Sequence, residues 1–369
     1  MMKKEMVFPR SGVLIGLLLL LMTGCTRKQE QKEQCTPMRM QTDLLLRTTP
    51  VKDQGESTFC WIHAMLGTIE SERLQLGDSV NLSPSYLARM FLRERIRSYY
   101  LSGGKQKVSL RGMTTMCMHL LQKYGAQPYD YYTKASRGQK DDTVDDIPWT
   151  PLMRKAVRLA DIAIARKSGL AKLEKDVDDL LDEELRFMPR YVHMYGATYN
   201  SQEFAHSVCL PGDYQALTSF LHHPFGEEFV LEVPDNQQKD RFLNVPLDTL
   251  MHRIVRSILD GHAVCWEGDT SEPHSNGIYD VPEDVRSQLA AASKKAAPSV
   301  AQQLRQEMFE HFETTDDHCM AIVGLAHTPD GRRFFICKNS WGTDSGFNGF
   351  YYLSYEYVQL KTIAIVIKK

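Results

Sequence analysis

Residues Pro50 to Ala64 read PVKDQGESTFCWIHA, and the fold turns on the residues just after the cysteine. Beyond Cys60 the apolar residues Ile62, Met65, Leu66 and Ile69 recur at the spacing of one helical face. Ser57 or Thr58 can cap such a helix and Gly77 can end it. Cys60 is thus expected in the first turn of a buried helix, where unpaired amides and the macrodipole favour thiolate over thiol. A cysteine taken at random is more often a small core hydrophobe. The nucleophilic reading of Cys60 therefore needs agreement from other segments.

Those segments exist. Asp317-His318 opens an apolar, strand-like run from Cys319 to Leu325, and a second strand, Phe334 to Cys337, leads into Lys338-Asn339-Ser340-Trp341-Gly342. Gln54 stands shortly before Cys60. Cysteine catalysis needs a base to form the thiolate and protonate the leaving amine, a group to orient that base, and a donor for the oxyanion. His318, Asn339 and Gln54 can fill those roles around Cys60.

In this order the segments resemble the papain-like cysteine peptidases: PVKDQG followed by CW, then DH before an apolar strand, then KNSWG with a later Gly349-Phe350-Tyr351. The resemblance implies an α+β, two-lobed fold, with a helical lobe carrying Cys60, a β-barrel-like lobe carrying His318 and Asn339, and a cleft between them. It further implies Cys60 as nucleophile, His318 as general acid/base and Asn339 as the hydrogen-bond partner of the imidazole. Trp341 would shield that contact, Trp61 would support the site, and Gln54 would join the Cys60 N–H in the oxyanion hole. Gly112 matches the glycine that hydrogen-bonds substrate backbone. Arg111 stands where a second glycine is usual, which points to a narrower or more basic non-prime side.

Two departures select a branch. The family's CGSCW is Ser57-Thr58-Phe59-Cys60-Trp61 here, so the disulfide of the secreted members cannot form. His318 follows Cys60 by 258 positions (318 minus 60) and Asn339 by 279 (339 minus 60), whereas a simple papain-like chain places both about 130 to 150 downstream. That spacing, with Asp213-Tyr214, FLNVPLDTL at 242 to 250, SILDGHAVCWEGD at 257 to 269 and TTDDH at 314 to 318, resembles the bleomycin hydrolase and aminopeptidase C branch. The extra residues fall near 134–205 and 281–313. Ala171 to Phe187 reads as an amphipathic acidic helix, and Val281 to Phe312 as helix broken near Pro298. Members of that branch hold the substrate's amino group with a C-terminal arm. Here KTIAIVI, Lys361 to Ile367, reads as the last core strand and no arm is expected, which leaves an endopeptidase as the alternative to an aminopeptidase.

At the other end, Lys3, Lys4 and Arg10 precede an apolar run from Val13 to Met22, then Thr23-Gly24-Cys25. This is a secretory signal, too short to span a bilayer, which takes roughly 20 apolar residues. Leu21 to Cys25 resembles a bacterial lipobox, implying cleavage after residue 24 and a diacylglyceryl anchor on Cys25. Residues 25–43 then form a polar tether, and the peptidase body, 44–369, begins near Leu44. The expected location is the periplasmic face or cell surface, membrane-anchored.

The 369 residues, 43% hydrophobic and 24% charged, with a mean hydropathy of -0.36, describe a folded globular chain. Forty-four basic against 46 acidic residues, net -2, argue against nucleic-acid partners. The eight cysteines form no CxxC pair. His206 with Cys209 and His262 with Cys265 are half-sites among apolar residues, so no metal and no cofactor is expected. The Asp316-Asp317 pair reads as loop structure and His222-His223 as surface. The expected partners are peptides and, through Cys25, a membrane; oligomeric state stays open. A catalytically silent peptide-binding lipoprotein and a Cys-His cell-wall amidase are the rival functions. Retention of all four catalytic roles argues against the first, and the NSWG segment against the second.

Overall fold

In the computed structural model, which describes residues 39–132, 147–185, 187–194, 196–210, 212–291 and 299–369, Cys60 opens helix α1 (Cys60–Gln75). Every residue of α1 from Cys60 to Glu72 is buried, as befits a helix enclosed on all sides. It starts without a side-chain cap: Phe59 is the N-cap, not Ser57 or Thr58. Those two lie in the loop before it, and the Ser57 hydroxyl has no hydrogen-bond partner among the described residues. The first-turn amides at Cys60 are thereby not taken up by a capping side chain.

Around α1 stand α2 (Pro84–Leu101), capped by Ser83 with Pro84 in its first turn, α3 (Thr114–Tyr124), α4 (Trp149–Ala165), α5 (Leu170–Glu184) and α6 (Ser201–Val208). Helix α5 is the acidic amphipathic helix expected from sequence, burying Leu173, Val177 and Leu181 against α2 and α4. Buried Arg89 of α2 reaches back to Asp182 at 2.7 Å, so the inserted helices join the core around α1.

The strands begin with β1 (Gln41–Leu45), followed by a separate hairpin of β2 (Val192–Met194) and β3 (Ala197–Tyr199). Next come β4 (Tyr214–Thr218), β5 (Glu228–Val230), β6 (Arg241–Asn244), β7 (Val264–Gly268), β8 (Ile278–Tyr279), β9 (His318–His327), β10 (Arg333–Lys338), β11 (Phe350–Ser354) and β12 (Thr362–Lys368). They form one ten-stranded mixed sheet in the order β5-β6-β4-β12-β7-β9-β10-β11-β8, with β1 also on β9. The second lobe expected from sequence takes this form. Because β1 pairs with β9, Leu45 opposite Gly324, the body includes Gln41 to Asp43, which sequence alone assigns to the tether. The stretch that reads as helix broken near Pro298 is two helices, α8 (Glu283–Ala291) and α9 (Val300–Glu310), preceded in the chain by α7 (Leu247–Leu259) and followed by α10 (Tyr355–Lys361). The break itself, 292–298, lies outside the described residues, as do Cys25, Cys35 and the signal segment.

Helix α1 lies against β9 and β7, which brings the cysteine of one lobe to the histidine of the other. A buried polar knot fastens the same junction. Glu70, wholly buried, receives Lys52 Nζ at 2.6 Å and the Leu82 N–H at 2.7 Å, while Lys338 Nζ donates to Thr49 Oγ1 at 2.8 Å, and Thr49 to Glu70 at 2.5 Å. Burial opposes the Glu70 charge, yet Lys52 and Lys338 hold its carboxyl below its ordinary range. Burial pushes the Lys338 ammonium down to about 8. Glu70→Leu leaves two buried lysines uncompensated and should cost about 3–5 kcal/mol, read as a lowered denaturant midpoint at unchanged slope.

Candidate active site

His318, the first residue of β9, and Asn339, just past β10, meet because β9 and β10 are antiparallel neighbours, with Lys338 opposite Ala321. His318 Nε2 lies 2.8 Å from Asn339 Oδ1, which fixes the ring so that its other nitrogen serves Cys60. Both are buried, and the Trp341 ring covers the imidazole at 4.5 Å between centroids, tilted by 30°. Trp341 is held edge-on against Tyr351. The contact between imidazole and amide is thus kept from water, which strengthens it.

The electrostatics single out Cys60. Its thiol is held well below the ordinary value, first by the hydrogen bond from the Cys319 thiol, against the opposing effect of burial, and then by the hydrogen bond and charge of His318. Burial works against the His318 imidazolium, but the Cys60 thiolate, Asn339 and Asp317 outweigh it and hold the ring above its ordinary value. The two shifts run in opposite directions, the thiol down and the imidazole up, which is the direction that favours a thiolate beside an imidazolium. Cys117, Cys265, Cys319 and Cys337 are all raised by burial, and Cys209 is pushed up to about 12. His63, one turn into α1, is pushed down to about 3 by burial and by Lys52 and Lys338, so it stays neutral and cannot act as the base.

Gln54 is built in from the other side. Its Nε2 donates to Ser57 O at 2.6 Å, leaving a second amide hydrogen, and its Oε1 accepts the Ser340 hydroxyl at 2.6 Å. The Gln54 N–H also donates to Ser340 O at 2.8 Å. Ser340 in turn donates its own N–H to Asn339 Oδ1 at 2.8 Å. One buried serine thus positions both the amide facing His318 and the amide facing Cys60. The NSWG segment contains Ser340, but nothing in the sequence assigns it a partner. Cys319 likewise reads, from sequence, only as the start of an apolar strand.

These groups line a cleft with a cavity of about 210 Å³. Trp61 forms part of its floor, fully buried against Phe59 and Phe91. Gly112 lies on the Trp61 indole, where a Cβ would come within 3.1 Å of the ring, so any larger residue would have to press the indole back by a few tenths of an ångström. Arg111 also lines the cleft, but carboxylates engage its charge there. Its Nε donates to both Asp235 oxygens, at 3.0 and 2.7 Å, and its Nη2 to Asp316 O at 2.9 Å. Two carboxylates against one guanidinium make this wall acidic, which corrects the basic alternative. Asp317 is the loop residue expected, accepting the Thr270 N–H at 2.9 Å. Asp316 instead receives the Asp235 N–H at 3.0 Å, a role that sequence reasoning missed.

Of the two His/Cys pairs that sequence reads as half-sites without a metal, the second has His262 paired with Glu72 at 2.9 Å and Cys265 fully buried. Among the described residues, His222, His223 and Glu232 are close enough to hold an ion. However, Gln306 Nε2 donates to His222 Nδ1 at 2.9 Å, which places the ring proton on Nε2, the nitrogen facing Glu232 at 3.3 Å. The grouping is a surface hydrogen-bonded cluster.

A sequence profile of the Peptidase C1-like family matches residues 195–369. The crystal structure of PepW from Lactobacillus rhamnosis superposes with a TM-score of 0.63 at 19% identity, over 90% of this chain and 82% of that one. The fold is the papain-like one. Aminopeptidase G of Lactobacillus delbrueckii subsp. lactis is 22% identical over 88% of this chain and 82% of its own length. The mitochondrial cysteine proteinase 1 of Saccharomyces cerevisiae (strain JAY291) is 23% identical over 93% of this chain and 78% of its own. This chain is a cysteine-type peptidase with a papain-like fold. The peptidase's lowered thiol, buried imidazole and orienting amide all lie at the junction of α1 with β9 and β10, where the two lobes meet.

Proposed function

We propose that this peptidase is an aminopeptidase, exported and anchored to a membrane through Cys25, and that Cys60, His318, Asn339 and Gln54 are its catalytic groups. The observation that carries the reading of the site is the pairing of a strongly lowered thiol with an imidazole oriented at 2.8 Å by Asn339. The Cys60 sulfur attacks the scissile carbonyl carbon, and the Cys60 N–H and Gln54 amide stabilise the oxyanion. His318 gives its proton to the leaving amine, the C–N bond breaks, and a thioester remains on Cys60. His318 then takes a proton from water, whose oxygen attacks the thioester, and release of the acid restores the thiolate. Trp341 protects the His318–Asn339 contact.

Support for removal of N-terminal residues comes from the aminopeptidases among the relatives and from the acidic wall at Asp235 and Asp316. Support for export and anchoring comes from the pattern of residues 3 to 25. One fluorogenic peptide, offered with a free amino terminus and N-acylated, tests the exopeptidase reading. Turnover of the free-amine form at least about tenfold faster in kcat/KM is expected; equal turnover would make the enzyme an endopeptidase. Radiolabelled glycerol or palmitate incorporated into the wild-type chain and not into Cys25→Ala tests the anchor.

A further inference from the structure

We infer that Asp235 and Asp316 form the pocket that receives the substrate's α-ammonium, with Arg111 strapped across the cleft beyond them to close its non-prime end. The inference rests on the aminopeptidase reading and names the residues of this chain that would produce it. Arg111 leaves the helical lobe, in the loop before α3, one residue from the glycine packed on Trp61. Asp235 and Asp316 belong to the sheet lobe, in the loop between β5 and β6 and in the approach to β9. The Arg111 bonds to Asp235 Oδ1 and Oδ2 and to Asp316 O therefore join the two lobes directly over the cavity that holds Cys60 and His318.

Three observations give this bridge a ligand to bind. Asp235 and Asp316 are each more than nine-tenths buried, so their charges have been taken from water and need a partner. Arg111 supplies one positive charge and spends it on Asp235 and on a main-chain oxygen. The Asp316 carboxylate is met by the Asp235 N–H, and among the described residues no cationic side chain forms an ion pair with it. With the Cys60 and His318 charges set aside, Asp235 and Asp316 share one guanidinium, and Asp317, which lines the same cleft, adds a further carboxyl, so the site is short of positive charge. An ammonium group between the two carboxylates supplies that charge and three donors. The shortage is felt at Asp235, pushed up to about 7 by burial and then by Asp316.

The Asp235 loop is built rather than loose. Asn236 Nδ2 bonds Leu231 O and Asp240 O, both at 2.9 Å, and Asp240 is clamped to α3 by Thr115 at 2.5 Å and His119 at 2.8 Å. The carboxylates are therefore held at a fixed place relative to Gly112, beside which a substrate backbone would lie.

The test uses the full chain as wild type, Asp235→Asn, Asp316→Asn and Arg111→Ala. The ratio of kcat/KM for the free-amine to the N-acylated peptide should fall about ten- to a hundredfold in either Asp variant, whereas general damage to the site would lower both substrates together. Arg111→Ala should raise turnover of the acylated peptide relative to the free-amine form. A second readout survives loss of turnover: an amino-acid amide should protect Cys60 from iodoacetamide in wild type and at least about tenfold less well in Asp235→Asn. A wild-type preference for free amines that persists unchanged in both Asp variants, with undiminished protection, would overturn the inference and leave the aminopeptidase reading standing. Equal turnover of both peptides by wild type would overturn the reading itself.

Discussion

His318→Ala lowers kcat/KM on the free-amine peptide by on the order of 10⁴, close to the loss in Cys60→Ala. The two effects should not add, because each variant removes half of one ion pair. In the native site Cys319 and then His318 hold the Cys60 thiol down against burial, and Cys60 helps hold the His318 ring up; without the imidazole the thiol loses the His318 share and moves back towards the protonated form, with Cys319 alone left to oppose burial. The leaving amine also loses its proton donor. The pH dependence comes from the directions of the two shifts. Activity requires the thiolate, which persists below the ordinary thiol value, and the imidazolium, which persists above the ordinary imidazole value, so the profile is a bell broadened on both sides. Kinetics from acid to alkaline pH, with the alanine variant alongside, check this, and a wild-type acid limb near the ordinary thiol value would contradict it.

Gln54→Ala should lower kcat by on the order of 10² to 10³ while leaving KM nearly unchanged, the signature of a donor that bonds only the developing oxyanion. Its amide is placed for this by two partners, Ser57 O and the Ser340 hydroxyl, and with its oxygen occupied by a donor the nitrogen must face Ser57 and the cleft. The same variant should alkylate at Cys60 as fast as wild type, since no hydrogen bond links Gln54 to the thiolate among the described residues. A parallel loss of alkylation rate would mean that Gln54 supports the ion pair and not the oxyanion. Ser340→Ala, which frees both Gln54 and Asn339, should show a smaller loss in kcat together with slower alkylation.

Much of this site is legible in the sequence. His318 and Asn339 open or adjoin strands β9 and β10, whose apolar pattern is strong, while Cys60 opens α1, which is buried on every side so that its apolar residues are not confined to one face. Elements with such patterns are placed correctly by periodicity, and the groups at their ends come with them. The capping of α1 is not legible, because Ser57 and Thr58 are good caps in isolation while the loop is instead pulled onto Ser340 by Gln54. Nor is the acidic wall. Arg111, Asp235 and Asp316 sit in three loops, with 124 positions between the first pair, and no period links loop residues that meet only through the tertiary fold. Cys319 shows a third kind of miss: it comes directly after His318 on a strand, where alternation sends neighbouring side chains apart, yet its thiol bonds Cys60.

The thiolate and imidazolium pair is tested most directly by the rate of Cys60 alkylation by iodoacetamide across pH, read by mass spectrometry of each cysteine in the native chain, wild type and His318→Ala. Cys60 is expected to react well below the pH at which an ordinary thiol does, while the five other described cysteines stay slow. His318→Ala should move the Cys60 profile up by at least about one pH unit, on the scale of such pairings. A Cys60 that titrates like a free thiol, or one whose profile is unmoved by loss of His318, would contradict the ion pair on which the proposed chemistry rests.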